Sequence, residues 1–316
     1  MRARFEAFAA KEPRAPHGRS WGRAVPLALA LTALPGGCLP GDTRPVPESL
    51  YVTAEPSQAL TQGIETPDGW RITFDRFVIG IGNVDFEEDD SSCTSYAEAH
   101  YERLFDFTVA GREKVGTIYG IGTCRVGFRL RGPTVDALLG PGATETDRAF
   151  MQVRATDRFG EDERASVLTI GSGTRGDEVK RFEWIFRRSY ELTSCAGEAG
   201  GFATTVELTE AASSELRLEV RAEELFRSIA DDRADLWFQP IADADADADG
   251  MVTLDELSIA PRPAVDAGEL GPEGGAGSDM AEAPQSLEDL VYKELLPRVL
   301  RVAGGGPCEF ETRGRR

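Results

Sequence analysis

Residues 245–256, DADADGMVTLDE, carry side-chain oxygens at a regular spacing. Asp245, Asp247 and Asp249 alternate with alanine, Gly250 follows them, and Glu256 is the last residue of the segment. Alternate short carboxylates can surround one hard dication, because the small alanines between them leave room. A glycine lets the backbone turn with a positive φ and brings the second half of the segment back towards the first. The pattern predicts coordination of calcium by oxygen ligands.

All twelve positions resemble the calcium loop of EF-hand and dockerin-like proteins. In that frame the three aspartates occupy positions 1, 3 and 5, and Gly250 occupies position 6. The resemblance implies one calcium ion as cofactor, with Glu256 closing the shell through two oxygens. The implied ligands are Asp245, Asp247, Asp249, the carbonyl of Met251, Thr253 and Glu256.

Simple Asp-Ala low complexity is the alternative interpretation, because Asp243 extends the same alternation. A frame that starts at Asp243 puts Ala248 at the glycine position and Leu254 at the last ligand position. Only the frame that starts at Asp245 therefore satisfies the whole loop pattern, which favours calcium binding over low complexity.

The flanks of the loop differ from those of a complete EF-hand. Pro240 and Pro261 limit the helices on either side to one or two turns. The sequence has no second loop of this type, so we expect Val252 at position 8 to pair with something else, such as a sheet. A solitary exported loop favours a structural brace, with a dissociation constant of about 10⁻⁴ to 10⁻³ M, over a switch.

Alternating hydrophobic residues before the loop predict at least six strands, in an antiparallel β-sandwich or barrel over residues 69–229. In the first strand a one-residue slip separates Phe74 from Phe77, as in a β-bulge. The glycine-rich segments 120–127 and 171–177 are interpreted as strand breaks and turns rather than nucleotide loops. The predicted strands are 71–86, 125–130, 150–156, 181–186, 201–208 and 215–220.

A mainly β domain is thus followed by a short helix-loop-helix calcium region, residues 230–260, and by a C-terminal helix. Residues 222–229 are expected to form a short helix or turn. Residues 261–285 are a linker by composition, and residues 286–316 form the C-terminal helix and tail. Ser286 is the expected helix cap and Pro297 the expected kink.

Several arginines precede a short apolar run, VPLALALTAL at 25–34, which matches the core of a secretory signal. The PGGC that ends at Cys38 resembles the cleavage box of a bacterial lipoprotein, and the resemblance implies lipidation at Cys38. An ordinary signal cleaved nearby is the alternative. Residues 1–37 are therefore predicted to be a signal peptide and residues 38–68 a spacer from the membrane. Either form exports the protein, and the lipidated form belongs to the bacterial envelope, periplasmic or at the cell surface.

Export favours disulfide bonds among the four cysteines that follow Cys38. Three pairings are possible. We expect Cys93–Cys124, which joins neighbouring segments, and Cys195–Cys308, which ties down the C-terminal tail.

The formal net charge is −19, and removal of residues 1–37 leaves 29 basic and 52 acidic residues, a net of −23. Such a surface repels nucleic acid, so nucleic-acid binding is excluded. Only His17 and His100 occur, and no nucleophile or phosphate-binding motif accompanies them. His100 is expected to be structural. No catalytic residue is assigned, and an enzyme is not predicted.

The sequence therefore predicts an exported, lipid-anchored protein whose single calcium loop stabilises a β-rich domain with a binding or envelope-structural role. The first alternative is a carbohydrate- or protein-binding module, with Trp70, Trp184 and Trp237 as candidate anchors for a glycan or protein ligand. The second alternative is a carboxylate-based hydrolase, for which no catalytic pair can be selected among the acidic residues.

Overall fold

The computed structural model describes residues 45–87, 92–156, 162–197, 200–262 and 285–312, and it is mainly β, as predicted. The strands are β1 Glu48–Pro56, β2 Ile64–Glu65, β3 Arg71–Phe86, β4 Cys93–Ala97, β5 Ala99–Asp106, β6 Glu113–Leu130, β7 Leu138–Leu139, β8 Ala155–Thr156, β9 Asp162–Glu163, β10 Val167–Arg175, β11 Glu178–Phe186, β12 Tyr190–Thr193, β13 Thr205–Leu208, β14 Ser213–Val220, β15 Met251–Val252, β16 Leu300–Val302 and β17 Glu309–Thr312. The α-helices are α1 Gln58–Gln62, α2 Glu145–Gln152, α3 Gln239–Ala242, α4 Leu254–Ile259 and α5 Leu287–Leu290. A 3₁₀ turn covers Ala222–Phe226, where a short helix or turn was expected.

Among the described residues, fifteen strands form one curled sheet, whose main path runs β15-β11-β10-β3-β6-β1-β14-β16. The long strand β6 joins the two halves of this path, because its first half pairs with β1 and β4 and its second half with β3 and β12. Most neighbours are antiparallel, as expected, but β1 and β14 run parallel. One cluster of buried side chains extends across these strands and the C-terminal helical segment.

The predicted bulge in β3 is present. Ile170 of β10 lies opposite Arg76, whereas the next residue, Gly171, lies opposite Phe74, so the register shifts by one residue at Asp75. The shift keeps hydrophobic residues on the core face both before and after it.

The predicted spacer, 38–68, is wrong for the residues from Glu48 onwards. Residues 48–56 form β1, which pairs with both β6 and β14. Leu50, Val52 and Ala54 are fully buried. These three residues alternate with polar residues, which is a pattern typical of a strand. The strand was not predicted because the flanking sequence is rich in proline and threonine.

The strand predicted at 150–156 is also wrong over most of its length. Thr144 and Asp147 form a reciprocal capping box, and the cap starts helix α2, which continues to Gln152. Within this range only Ala155–Thr156 form a strand. The strand predicted at 201–208 is shorter than expected and begins at Thr205.

The glycine-rich segments lie mostly inside strands, although Gly176 and Asp177 form the turn between β10 and β11 that was expected in the second segment. Residues 120–127 belong to β6, and Gly171 and Gly173 belong to β10. A Cβ added at Gly171 would lie 2.6 Å from the ring of Phe182, and one added at Gly173 would lie 2.4 Å from the ring of Phe238. These glycines allow two aromatic rings to pack directly on the backbone of β10.

The C-terminal helix is confirmed and changes its winding along its length. Ser286 accepts a hydrogen bond from the backbone N of Asp289, as a cap does. After α5 the chain is a π-helix over Val291–Leu295 and a 3₁₀-helix over Leu296–Val299, so the winding changes next to Pro297. The chain then enters β16, which pairs with β14.

Both disulfides form, Cys93–Cys124 and Cys195–Cys308, which is the expected pairing. Pro45–Arg316 groups as one compact unit, so the described parts of the predicted domain, loop and C-terminal regions belong together. The predicted signal peptide, Cys38 and most of the predicted linker (263–284) lie outside the described residues. Within the described part of the chain, no helix is long and apolar enough to cross a membrane.

Candidate metal centre

The acidic loop begins after α3, a single turn with Pro240 near its start. Asp68 accepts hydrogen bonds from the backbone N of Phe238 and of Gln239, at 2.8 and 2.7 Å. Asp68 thus caps the N-terminus of α3, whose own N-cap residue makes no side-chain hydrogen bond. The incoming helix is as short as the proline predicted.

Two residues turn the loop with positive φ. Gly250 has φ 83° and Ala248 has φ 59°. The aspartates fix the turns around them, because Asp247 accepts a hydrogen bond from the N of Asp249 and Asp249 accepts one from the N of Met251, at 3.2 and 2.7 Å.

The second half of the loop joins the main sheet, as expected for an unpaired position 8. Met251 and Val252 form β15, which runs parallel to β11 opposite Arg181 and Phe182. Val252 is fully buried, and its carbonyl accepts a hydrogen bond from Trp184 Nε1 at 2.9 Å. The main sheet is therefore the partner of Val252.

The three aspartates of the predicted site converge. Asp245, Asp247 and Asp249 each offer a carboxylate oxygen, and these oxygens lie within 4.8 Å of one another. Asp247 and Asp249 are exposed, whereas the Asp245 side chain is fully covered. Three oxygens at this separation can share one cation.

The two oxygens of Asp245 have different surroundings. Oδ2 accepts hydrogen bonds from Lys180 Nζ at 2.5 Å and from the N of Gly250 at 3.0 Å. Oδ1 is buried and has no hydrogen-bond partner among the described residues. The hydrogen bond from Lys180 lowers the pKa of Asp245, so this carboxylate is ionised at neutral pH.

The remaining predicted ligands are arranged differently. Glu256 is outside the group of three, because its Oε1 accepts from the N of Ala246 at 3.0 Å and its Oε2 accepts from the N of Thr253 at 2.8 Å. Burial opposes ionisation of Glu256, but the bonds from Thr253 and Ala246 outweigh it and lower the pKa of this carboxyl group. Glu256 lies against the start of the loop, and its role as a bidentate ligand stays a prediction.

Thr253 and Glu256 also form the capping box of α4, each accepting from the backbone of the other. The T-x-x-E spacing is a sequence signal for this cap that the calcium pattern conceals. The Met251 N–H donates to Asp249 rather than to β11. Because the N–H and C=O of one strand residue point to the same side, the Met251 carbonyl points away from β11, to the side of its own N–H.

Sequence reasoning missed Lys180 altogether. It lies in β11, 65 residues from Asp245, and nothing in the loop pattern points to a basic partner. Its side chain is 17% exposed and its pKa is raised, chiefly by the hydrogen bond to Asp245. The site therefore combines three aspartates from the loop with one ammonium group from the sheet.

The other candidate residues do not form a second centre. Trp70 and Trp184 are fully buried and Trp237 is half-buried. The His100 side chain is 71% exposed and lies 3.7 Å from Glu98, which fits a surface histidine. No protein-family model, no curated protein and no solved structure matches this chain.

Proposed function

We propose that this chain is an exported calcium-binding protein of the bacterial envelope, anchored through a lipid at Cys38. One EF-hand-like loop binds one calcium ion and stabilises the β-rich unit, whose role is binding or structural. Asp245, Asp247 and Asp249 supply carboxylates, Met251 supplies its carbonyl, and Thr253 and Glu256 complete the shell.

The observation that carries the proposal is the unpartnered Oδ1 of Asp245 beside two further carboxylates. An ionised oxygen that is covered and lacks a donor is costly, and neighbouring negative charges increase the cost. A calcium ion removes both penalties, because it is the partner of Oδ1 and the counter-charge of the other two aspartates. Calcium also tolerates the loose oxygen geometry that a flexible acidic loop offers.

The contacts of the loop support a bracing role. Val252, which lies between the ligands Met251 and Thr253, and Leu257 of α4, which follows Glu256, are both fully buried in the core. An ion bound by Met251, Thr253 and Glu256 therefore restrains β15 against β11 and fixes the start of α4. Calcium binding should therefore stabilise the whole unit, since an ion that binds only the folded state adds its binding free energy to folding.

Export is supported by the two disulfides, which form in oxidising compartments. The low affinity expected of a solitary loop suits the millimolar calcium found outside cells. Lipid anchoring rests on the sequence around Cys38. Detection of a diacylated N-terminal cysteine by mass spectrometry of the envelope fraction would test it, and an unmodified mature N-terminus would contradict it.

Calorimetric titration tests the calcium site directly. The wild-type chain should bind one calcium ion, and Asp245→Asn and Glu256→Gln should each weaken binding at least about tenfold, because each removes a charged ligand. Asp243→Asn is the matched control: it removes the same charge two residues before the loop, where the carboxylate accepts a bond from Gln239. Its affinity should stay within about twofold of wild type.

Unfolding in denaturant provides the second readout of the same prediction. A free calcium concentration of ten to one hundred times the dissociation constant should raise the free energy of unfolding by about 1.4 to 2.7 kcal/mol. Asp245→Asn should abolish this gain and Asp243→Asn should retain it. Absence of binding by the wild type, or equal binding by all the variants, would refute the calcium site.

The carbohydrate-binding alternative loses two of its three candidate anchors. Trp70 and Trp184 lie in the core, where neither ring can stack on a sugar. Trp184 also donates its Nε1–H to the Val252 carbonyl of the loop.

A further inference from the structure

Lys180 lies in strand β11, and its side chain contacts Asp245 of the acidic loop. Its backbone position is fixed by the register of the sheet, in which Lys180 lies opposite Gly173 of β10. The next residue, Arg181, lies opposite Met251 of the loop, and its N donates to the carbonyl of Gly250 at 2.8 Å. The ammonium group is thus held beside the first ligand by the sheet and not by the loop.

We propose that Lys180 is a positioning residue of the calcium site that also lowers its affinity. It holds Asp245 through Oδ2, so that Oδ1 faces the ion, while its fixed positive charge repels the same ion. This inference rests on the proposed function, since it assigns a role within the calcium site.

The positioning half of the role follows from the two oxygens of Asp245. The N of Gly250 and the ammonium of Lys180 both bond to Oδ2, and together they fix the rotation of the carboxylate. Oδ1 is left covered and available to one ligand. Groups that hold a metal ligand through its second atom orient it and tune the metal, although they never touch the ion.

The repulsive half follows from charge. The four carboxylates of the proposed ligand set carry a formal charge of −4, and Lys180 brings one positive charge into contact with the first of them. Glu178 and Asp243 also interact with the ammonium group. Both lie outside the proposed ligand set, so they moderate the charge of Lys180 without removing it from Asp245. The ion meets a less negative site than the loop sequence alone provides, which shifts binding towards the weak range of extracellular calcium modules.

Lys180→Gln separates charge from hydrogen bonding, because glutamine keeps a donor and loses the charge. In titrations of the full chain at fixed ionic strength, this variant should bind calcium about tenfold more tightly than wild type. Lys180→Met removes the donor as well, so its gain should be smaller than that of Lys180→Gln. Lys180→Arg keeps both the positive charge and the hydrogen-bond donor, so it should bind calcium like wild type. That result would exclude a purely steric explanation of the other two variants.

Arg181→Gln is the matched control. It removes the same charge from the next residue on β11, and the exposed Arg181 side chain lies on the opposite face of the strand. Its backbone N–H is unchanged by the substitution. Calcium affinity should therefore stay within about twofold of wild type.

A trivalent lanthanide provides a readout that a structural role would not change. Repulsion scales with the charge of the ion, so the gain of Lys180→Gln should be larger for terbium than for calcium. Equal or weaker calcium binding by Lys180→Gln, or an equal gain in Arg181→Gln, would overturn the role of Lys180 while leaving the calcium site intact. Absence of calcium binding in the wild type would instead overturn the proposed function, and the role of Lys180 with it.

Discussion

Asp85 is a half-buried carboxylate at the end of β3, with its side chain 22% exposed. Burial raises its pKa to about 6, and the charges of Glu191 and Glu98 act in the same direction. Arg129 opposes the rise, because its Nη2 lies 3.4 Å from Asp85 and 3.2 Å from Glu191. One guanidinium group is therefore shared between two acids and does not fully neutralise either.

The raised pKa of Asp85 makes stability depend on pH. An aspartate in the unfolded chain titrates near 3.9, so the unfolded state loses its proton first as the pH rises. The contribution of Asp85 to stability is therefore most favourable below about pH 4. It declines as the pH rises from about 4 to about 6 and stays unfavourable above that range.

Asp85→Asn should remove this penalty. We expect the free energy of unfolding to rise by about 1 to 3 kcal/mol at pH 7.5 and to change little at pH 4, because the wild-type carboxyl is then already protonated. Urea denaturation of both chains at the two pH values measures the difference. An equal loss of stability at both pH values would show that the bond to Arg129 outweighs the burial of the charge.

The candidate site was predictable from the sequence only where it is local. The three aspartates and Gly250 fall within six residues, so their spacing alone predicts that they converge. Lys180 is brought to Asp245 by the pairing of β11 with β15, which no residue within the loop specifies. Glu256 carries two patterns at once, a ligand position and a helix cap: its Oε2 forms the cap, whereas its Oε1 accepts a hydrogen bond from the N of Ala246.

At the scale of elements, β15 is the link between the loop and the sheet. Its residue Val252 is fully buried against β11, directly after the proposed carbonyl ligand Met251. Val252→Ala leaves a cavity and loosens this link. We expect a loss of roughly 2 kcal/mol in the free energy of unfolding, together with weaker calcium binding.

Ile259→Ala provides the control for this substitution. Ile259 ends α4, on the other side of the loop, and is 73% exposed. Truncation of this side chain to alanine should change the free energy of unfolding by less than about 0.5 kcal/mol and leave calcium binding unchanged. Denaturant unfolding with and without calcium measures both quantities. If Val252→Ala lowered stability but left calcium affinity at the wild-type value, the loop would be independent of the sheet.

Elements with a clear alternation of hydrophobic residues were predictable, and β3, β11 and β14 are present where the pattern placed them. Two elements were missed for different physical reasons. The alternation in β1 is short and its partners, β6 and β14, are distant in sequence. In α2 the cap formed by Thr144 and Asp147 starts a helix before the apolar residues that suggested a strand.

At the scale of the whole molecule, pairings between distant parts of the chain hold the ends of the described unit. β1, near its start, lies beside β14, and β14 lies beside β16, near its end. β17 pairs with β12, and the Cys195–Cys308 bond joins the same two regions. The C-terminal segment is therefore part of the sheet and not a separate tail.

The two disulfides should differ in how much they stabilise this unit. Cys195–Cys308 closes a separation of 113 residues, whereas Cys93–Cys124 closes one of 31. A cross-link restricts the unfolded chain more when it closes a longer loop, and the logarithmic dependence gives a difference of about 1 kcal/mol. We therefore expect Cys195→Ala/Cys308→Ala to lower the free energy of unfolding more than Cys93→Ala/Cys124→Ala does.

Denaturant unfolding of the two double variants, each with its remaining bond intact, measures this difference. Each substitution should cost roughly 2 to 5 kcal/mol, with the larger cost for the C-terminal bond. Because β17 pairs only with β12 among the described strands, loss of Cys195–Cys308 should also speed amide exchange in Glu309–Thr312. Equal costs, together with unchanged exchange in β17, would mean that pairing with β12 holds this strand without the covalent bond.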